Sequence, residues 1–130
     1  MTGTAIGGPV RLPDGTSIPL SAAMRAGDFI FISGQVPFDA DFNIVGDDIE
    51  TQTRAVLERL KETLATAGCT LADVVKTTVW LTRPEDFGRF NAVYADYFGD
   101  DPPARSTVRA DLMGPGLLVE IEAVAYKPTD

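Results

Sequence analysis

Apolar positions between Asp48 and Ala67 recur every three or four residues: Ile49, Thr53, Val56, Leu60, Leu64 and Ala67. That spacing winds a single stripe along an α-helix. Asp47 or Asp48 stands where a carboxylate can cap the first turn, and Gly68 stands where a helix ends. Glu50 and Arg54, four residues apart, make a favourable surface pair. A second helical pattern opens at Pro84, a residue suited to a first turn, and continues through Phe87, Asn91, Tyr94 and Phe98 to Gly99. Other stretches are β-branched or aromatic. Ile18 to Ala23, Phe29 to Ser33 and Val74 to Leu81 predict strands, with a turn at Gly27-Asp28 between the first two. Residues 1–16, rich in Gly, Thr and Pro, read as a loose or edge segment.

The segment Pro103 to Glu122, PARSTVRADLMGPGLLVEIE, predicts two more strands around the turn-like run Asp111 to Gly116. Read as an antiparallel hairpin with Ala110 opposite Leu117, it sets Thr107 against Glu120 and Arg105 against Glu122. All four side chains then share one face. The element order becomes β-β-α-β-α-β-β, an α+β fold in one domain spanning residues 1–130, with both helices packed on one face of a mixed sheet. The other face is not polar. Phe29 to Ser33 carries apolar side chains on both sides, and Val74 to Leu81 sets Val74 and Trp80 opposite Val75, Val79 and Leu81. An apolar sheet face of that size predicts burial against other copies of the chain.

Composition narrows the chemistry. With 130 residues, 45% hydrophobic and 23% charged, the chain has the make-up of an ordinary globular domain. No apolar run approaches a membrane span, and no basic-then-apolar leader opens the chain, so the expected location is the cytoplasm. The chain contains no histidine. Histidine-based triads, Cys-His pairs and His-ligated metal sites are therefore excluded, and acid–base work falls to carboxylates, tyrosines, lysines or water. A net charge of −8 with only eleven scattered basic residues argues against nucleic acid as a partner. Cys69, the single cysteine, has no histidine to activate it and reads as a packed thiol.

Among candidate site residues, an arginine such as Arg105 most often pairs with a neighbouring acid, here Glu122. Its fork of donors can equally grip a substrate carboxylate. Glu120 and Glu122 both interrupt an apolar strand. Burial of either would raise its pKa toward the range useful for proton transfer, and the pattern alone does not separate them. Asn91 falls on the apolar stripe of the second helix, where an amide needs a partner or a ligand. Ser33, before Gly34-Gln35 at a strand end, is a turn former or a site residue. Asp39, Asp41, Asn43 and Glu50 fall at the spacing of a calcium-binding EF-hand loop, but Ile44 occupies the position that requires glycine, and a solvated acidic loop is expected instead.

The Pro103 to Glu122 segment also resembles the C-terminal signature of the Rid (YjgF-type) reactive-intermediate deaminases. The likeness continues through FISGQVPFD (Phe31 to Asp39), VVKTTVWL (Val74 to Leu81) and FNAVYADYF (Phe90 to Phe98). It implies a chorismate-mutase-like homotrimer with sites in the clefts between subunits. It also implies hydrolysis of carboxylate-bearing enamines and imines to 2-keto acids and ammonia without metal or organic cofactor. By that resemblance Arg105 binds the substrate carboxylate and Glu120, rather than Glu122, positions the attacking water. Ser33 and Asn91 line the pocket, and backbone groups near Thr107 hold the imine nitrogen. Two positions depart from the family pattern. Pro19-Leu20-Ser21 stands where many relatives carry a tyrosine, and Thr107 stands where many carry a cysteine. Both change pocket size and polarity, favouring a bulkier imine or ring-cleavage product over 2-aminoacrylate. Two other functions compete: a non-catalytic trimer that senses keto acids in the same clefts, and the endoribonuclease or translation-inhibitor activity for which some relatives are named.

Overall fold

The computed structural model describes residues 3–129. Strands β1 (Gly3–Arg11), β2 (Ser17–Ala26) and β3 (Phe29–Gln35) run as an antiparallel meander. Helix α1 (Ile49–Thr66) leads to β4 (Val74–Leu81), helix α2 (Phe87–Phe98) leads to β5 (Ala104–Arg109), and β6 (Val119–Tyr126) closes the chain. The strands form one mixed sheet in the order β1-β2-β3-β6-β4-β5. Of the two expectations for the N-terminal segment, the structure shows the edge: Gly3–Arg11 pairs with β2 and makes the sheet six-stranded.

The expected β5–β6 hairpin does not form. β5 lies parallel to β4, with Thr77 opposite Arg105 and Val79 opposite Thr107. β6 inserts antiparallel between β3 and β4, with Trp80 opposite Glu120 and Thr78 opposite Glu122. The cause is legible in the elements. β4, α2 and β5 form a crossover unit, which returns its second strand parallel to its first. β6 carries an unbroken buried row, Val119, Ile121, Ala123 and Ala125, that suits a central strand. β5, with Arg105, Ser106, Thr107 and Arg109, suits an edge.

Both helices pack on one face of the sheet. Ile49, Val56, Leu57, Leu60 and Leu64 of α1 and Phe90, Val93 and Tyr94 of α2 close over Ile30, Ile32, Val79, Leu81, Val119 and Ile121. The Asp48 carboxylate caps α1 by accepting from the Thr51 amide at 2.8 Å, and Gly68 follows the helix at φ 76°, a conformation that favours glycine. The Glu50–Arg54 pair expected along α1 is not made. Glu50 meets Arg89 and Arg54 meets Asp96, so both charges bridge to α2 instead. Gln52, outside the predicted stripe, is fully buried. Its amide donates to the Gly46 and Gly116 carbonyls and accepts from the Leu118 amide at 2.8 Å, fastening the segment before β6 to the start of α1.

The other sheet face has no helix. Phe31, between Met24 of β2 and Val124 of β6, remains 47% exposed, and Phe29 beside Tyr126 remains 43% exposed. In β4 the expected division of side chains is altered: a bulge between Val74 and Lys76 turns Val74 into the core with Val79 and Leu81 and leaves Val75 exposed.

Candidate active site

Arg105 lies opposite the buried Thr77, on the helix-covered side of the sheet. Its Nη2 donates to Asn91 Oδ1 at 2.8 Å. Its Cζ stands 4.8 Å from the ring centre of Tyr94, 5.5 Å from Phe90 and 5.8 Å from Phe87. The predicted stripe Phe87, Asn91, Tyr94 and Phe98 is therefore not purely a core face. Much of it forms the wall that cradles Arg105, while Phe90 anchors the helix in the core. A cleft of 270 Å³ lies on one side of the guanidinium, between Asn91, Tyr94, Phe98, Pro103 and Arg105. A second of 270 Å³ lies toward Thr107, Phe87, Pro84 and Leu81. Thr107 is two residues from Arg105 on the same strand and so on the same side. A guanidinium stacked on aromatic faces gives up water, and a single hydrogen bond leaves most of its five donors for an oxyanion. Burial pushes the Tyr94 hydroxyl above its ordinary pKa, against opposing effects from Thr77 and Arg105, so it stays protonated at neutral pH.

Glu120 belongs to a different neighbourhood. β3 carries an extra residue at Ser33–Gly34, since Ile32 pairs with Ala123 and Gln35 with Ile121. Ser33 Oγ donates to the Ser21 carbonyl at 2.6 Å, tying β2 to β3, and Gln35 Nε2 donates to the Ser33 carbonyl at 2.9 Å. Gly34 lies directly against the Glu120 carboxyl: a Cβ there would collide with Oε2 and would sit 3.0 Å from Cδ. Only glycine permits that approach. Glu120 is half-buried, and burial raises its pKa above the ordinary 4.5, helped by the negative charge of Glu122. Glu122 itself is exposed. A largely apolar cavity of 220 Å³ adjoins Ser33 and Gly34, walled by Leu12, Ile18, Leu20, Ala22 and Val36.

The convergence expected of Arg105, Thr107, Glu120 and Glu122 therefore does not occur within one protomer. Arg105, Thr77 and Ala123 share a rung of the sheet, and Glu120 is three residues from Ala123, so its side chain emerges on the opposite face. The structure makes two groups: Arg105 with Asn91 and Thr107, and Glu120 with Ser33 and Gly34. Among the described residues neither Arg105 nor Glu120 forms an ion pair. Gly34 and Tyr94 are contributors that the sequence reading passed over, although a glycine beside a candidate serine in a strand marks a close approach.

The remaining candidates resolve plainly. Cys69 is buried, with its thiol pKa raised by burial and then by Asp73, and it lies apart from both groups. The acidic loop is closed by Asp39 Oδ1, which accepts from the Asp41 and Asn43 amides at 2.9 Å each. Among the described residues no group of three acids or cysteines is poised to hold a metal, and no helix is long and apolar enough to cross a membrane.

The family model Endoribonuclease L-PSP matches residues 14–127. A RutC family protein of Pyrococcus horikoshii is 49% identical over 110 residues, covering 84% of this chain and 87% of its own. The solved structure of YyfA from Yersinia pestis, of the conserved Rid protein family, superposes with a TM-score of 0.84 at 37% identity, covering 95% of this chain and 98% of its own. Yeast Mmf1 superposes at 0.85 with 31% identity, covering 97% of this chain and 99% of its own. The chain belongs to the endoribonuclease L-PSP (YjgF/Rid) family.

Proposed function

We propose that this chain hydrolyses carboxylate-bearing enamines and imines to 2-keto acids and ammonia, as a homotrimer whose sites form between subunits. The observation that supports this reading most directly is the pair of half-sites on opposite faces of one sheet. Among the described residues, one is a cradled guanidinium paired with no carboxylate, the other a half-buried carboxylate paired with no cation. The uncovered face with Phe29 and Phe31 supplies the apolar surface for assembly. In a ring of copies, the Arg105 group of one protomer and the Glu120 group of its neighbour complete one cleft.

Arg105 clamps the substrate carboxylate, with Asn91 holding the guanidinium, and backbone groups near Thr107 hold the imine nitrogen. Glu120 orients a water toward the iminium carbon and accepts its proton as the C–O bond forms. That proton passes to the nitrogen, and as the C–N bond breaks the hydroxyl proton returns to the freed Glu120 carboxylate, so that ammonia leaves from a keto acid. Positioning and charge complementarity supply most of the acceleration. The 220 Å³ apolar cavity beside Ser33, with Leu20 in its wall, favours a substrate bulkier than 2-aminoacrylate.

Arg105→Ala should lose about 2–5 kcal/mol of substrate binding and abolish ammonia release from imines generated by an amino-acid oxidase, with the trimer intact. Wild-type turnover in that variant would remove the mechanism. A cleft that binds 2-keto acids while releasing ammonia from no imine would establish the sensing function instead. For ribonuclease activity, the charge of −8 and the absence of histidine are both unfavourable.

A further inference from the structure

Thr77 is the residue of β4 directly opposite Arg105 in the parallel pair, and its side chain is fully buried. A hydroxyl in that position requires a partner. The partner is the Tyr94 hydroxyl, 2.7 Å away, on a ring only 5% exposed. The bonded hydroxyls tie the tip of this ring to the rung of the sheet that carries Arg105. The guanidinium lies nearer to this ring, at 4.8 Å, than to Phe90 or Phe87. Asn91, one turn earlier on α2, holds Nη2 from the side. A free arginine samples many rotamers, and ordering it beforehand removes that loss from binding.

We infer that Thr77 and Tyr94 form a positioning pair: their joined hydroxyls fix the ring on which Arg105 rests and so set the pose in which it meets a carboxylate. The functional half of this inference rests on the carboxylate-binding role proposed for Arg105, whereas the ordering of Arg105 does not.

The test is the double variant Thr77→Val/Tyr94→Phe. It removes both hydroxyls, keeps both shapes and strands no buried polar group, so the melting temperature should stay near that of the wild type. Nitrogen-15 relaxation of the Arg105 Nε–H should show the side chain loosened in this variant. KM for an oxidase-generated imine should rise about fivefold, with a smaller change in kcat. Should the double variant not fold, Tyr94→Phe alone gives the same readings of Arg105 order and KM, with a lower melting temperature because the Thr77 hydroxyl is left unpaired. An Arg105 as ordered as in the wild type overturns the inference, as does a loosened Arg105 with unchanged KM. A wild-type protein that hydrolyses no imine, in which Arg105 nonetheless loosens on substitution, leaves the positioning pair standing and removes the carboxylate role.

Discussion

Gly34→Ala is a one-atom perturbation aimed at Glu120. Gly34 is not among the glycines with positive φ, so alanine can adopt its backbone conformation without strain. What changes is space. The added methyl would occupy the place of Glu120 Oε2 and approach Cδ to 3.0 Å and Cγ to 3.3 Å. Ordinary carbon contacts lie near 3.5–4.0 Å, so the carboxylate must retreat by more than about 1 Å. Glu120 is only half-buried, and its side chain can swing, so the stability loss should lie at the low end of overpacking, about 1 kcal/mol. The catalytic loss should be much larger, because a displacement of that size costs about a hundredfold in rate. The assay is ammonia release from oxidase-generated imines, scored by competition with semicarbazide, alongside thermal melting. Gly88→Ala is the control. Nothing lies within 4 Å of a Cβ there, and alanine in α2 should stabilise by up to about 1 kcal/mol with turnover unaltered. Wild-type turnover in Gly34→Ala would refute the placement of Glu120 as the group that activates water.

Three further outcomes follow from the same geometry. Turnover should rise with pH as Glu120 ionises, with a midpoint above 4.5, and Glu122→Gln should move this acid limb to lower pH by removing the neighbouring negative charge. Because folding raises the Glu120 pKa, the folded state binds more protons than the unfolded state between the two values, and stability falls as pH rises through that window. Glu120→Gln should therefore melt higher than the wild type at neutral pH, with the difference shrinking as pH falls toward 4.5. Gln52→Leu should destabilise the protein by about 2–4 kcal/mol in a denaturant titration, since it strands the Leu118 amide and two carbonyls in a buried place.

The helices were largely legible because their signals are local. The α1 stripe, its Asp48 cap and its Gly68 terminus each depend on residues within a few positions of one another. Strand partners depend on what the sheet must cover, and there proximity along the chain misled: β5 and β6 are neighbours in sequence, yet β4 lies between them in the sheet. A stronger signal was present, since a strand, a helix and a strand in succession favour a parallel pair. Gln52 holds the intervening segment over α1 and delivers β6 to the centre, a contact between residues far apart in sequence. Arg105 and Asn91 were recognisable from the family pattern, and they touch. The separation of Arg105 from Glu120 was not recognisable, because a wrong partner strand changes which face a residue occupies. Thr77 and Tyr94 escaped notice for another reason: each reads as an ordinary core residue until the register shows both beneath one guanidinium.

The claim that the Arg105 group and the Glu120 group meet only between protomers has a direct measurement: subunit mixing. Arg105→Ala and Glu120→Gln proteins, each inactive alone, are unfolded together in equal amounts, refolded and assayed for imine hydrolysis. If each site takes its arginine from one subunit and its glutamate from the next, about one site in four regains both side chains, and activity returns to about a quarter of wild type. No recovery from mixed assemblies that have demonstrably exchanged subunits would contradict the account.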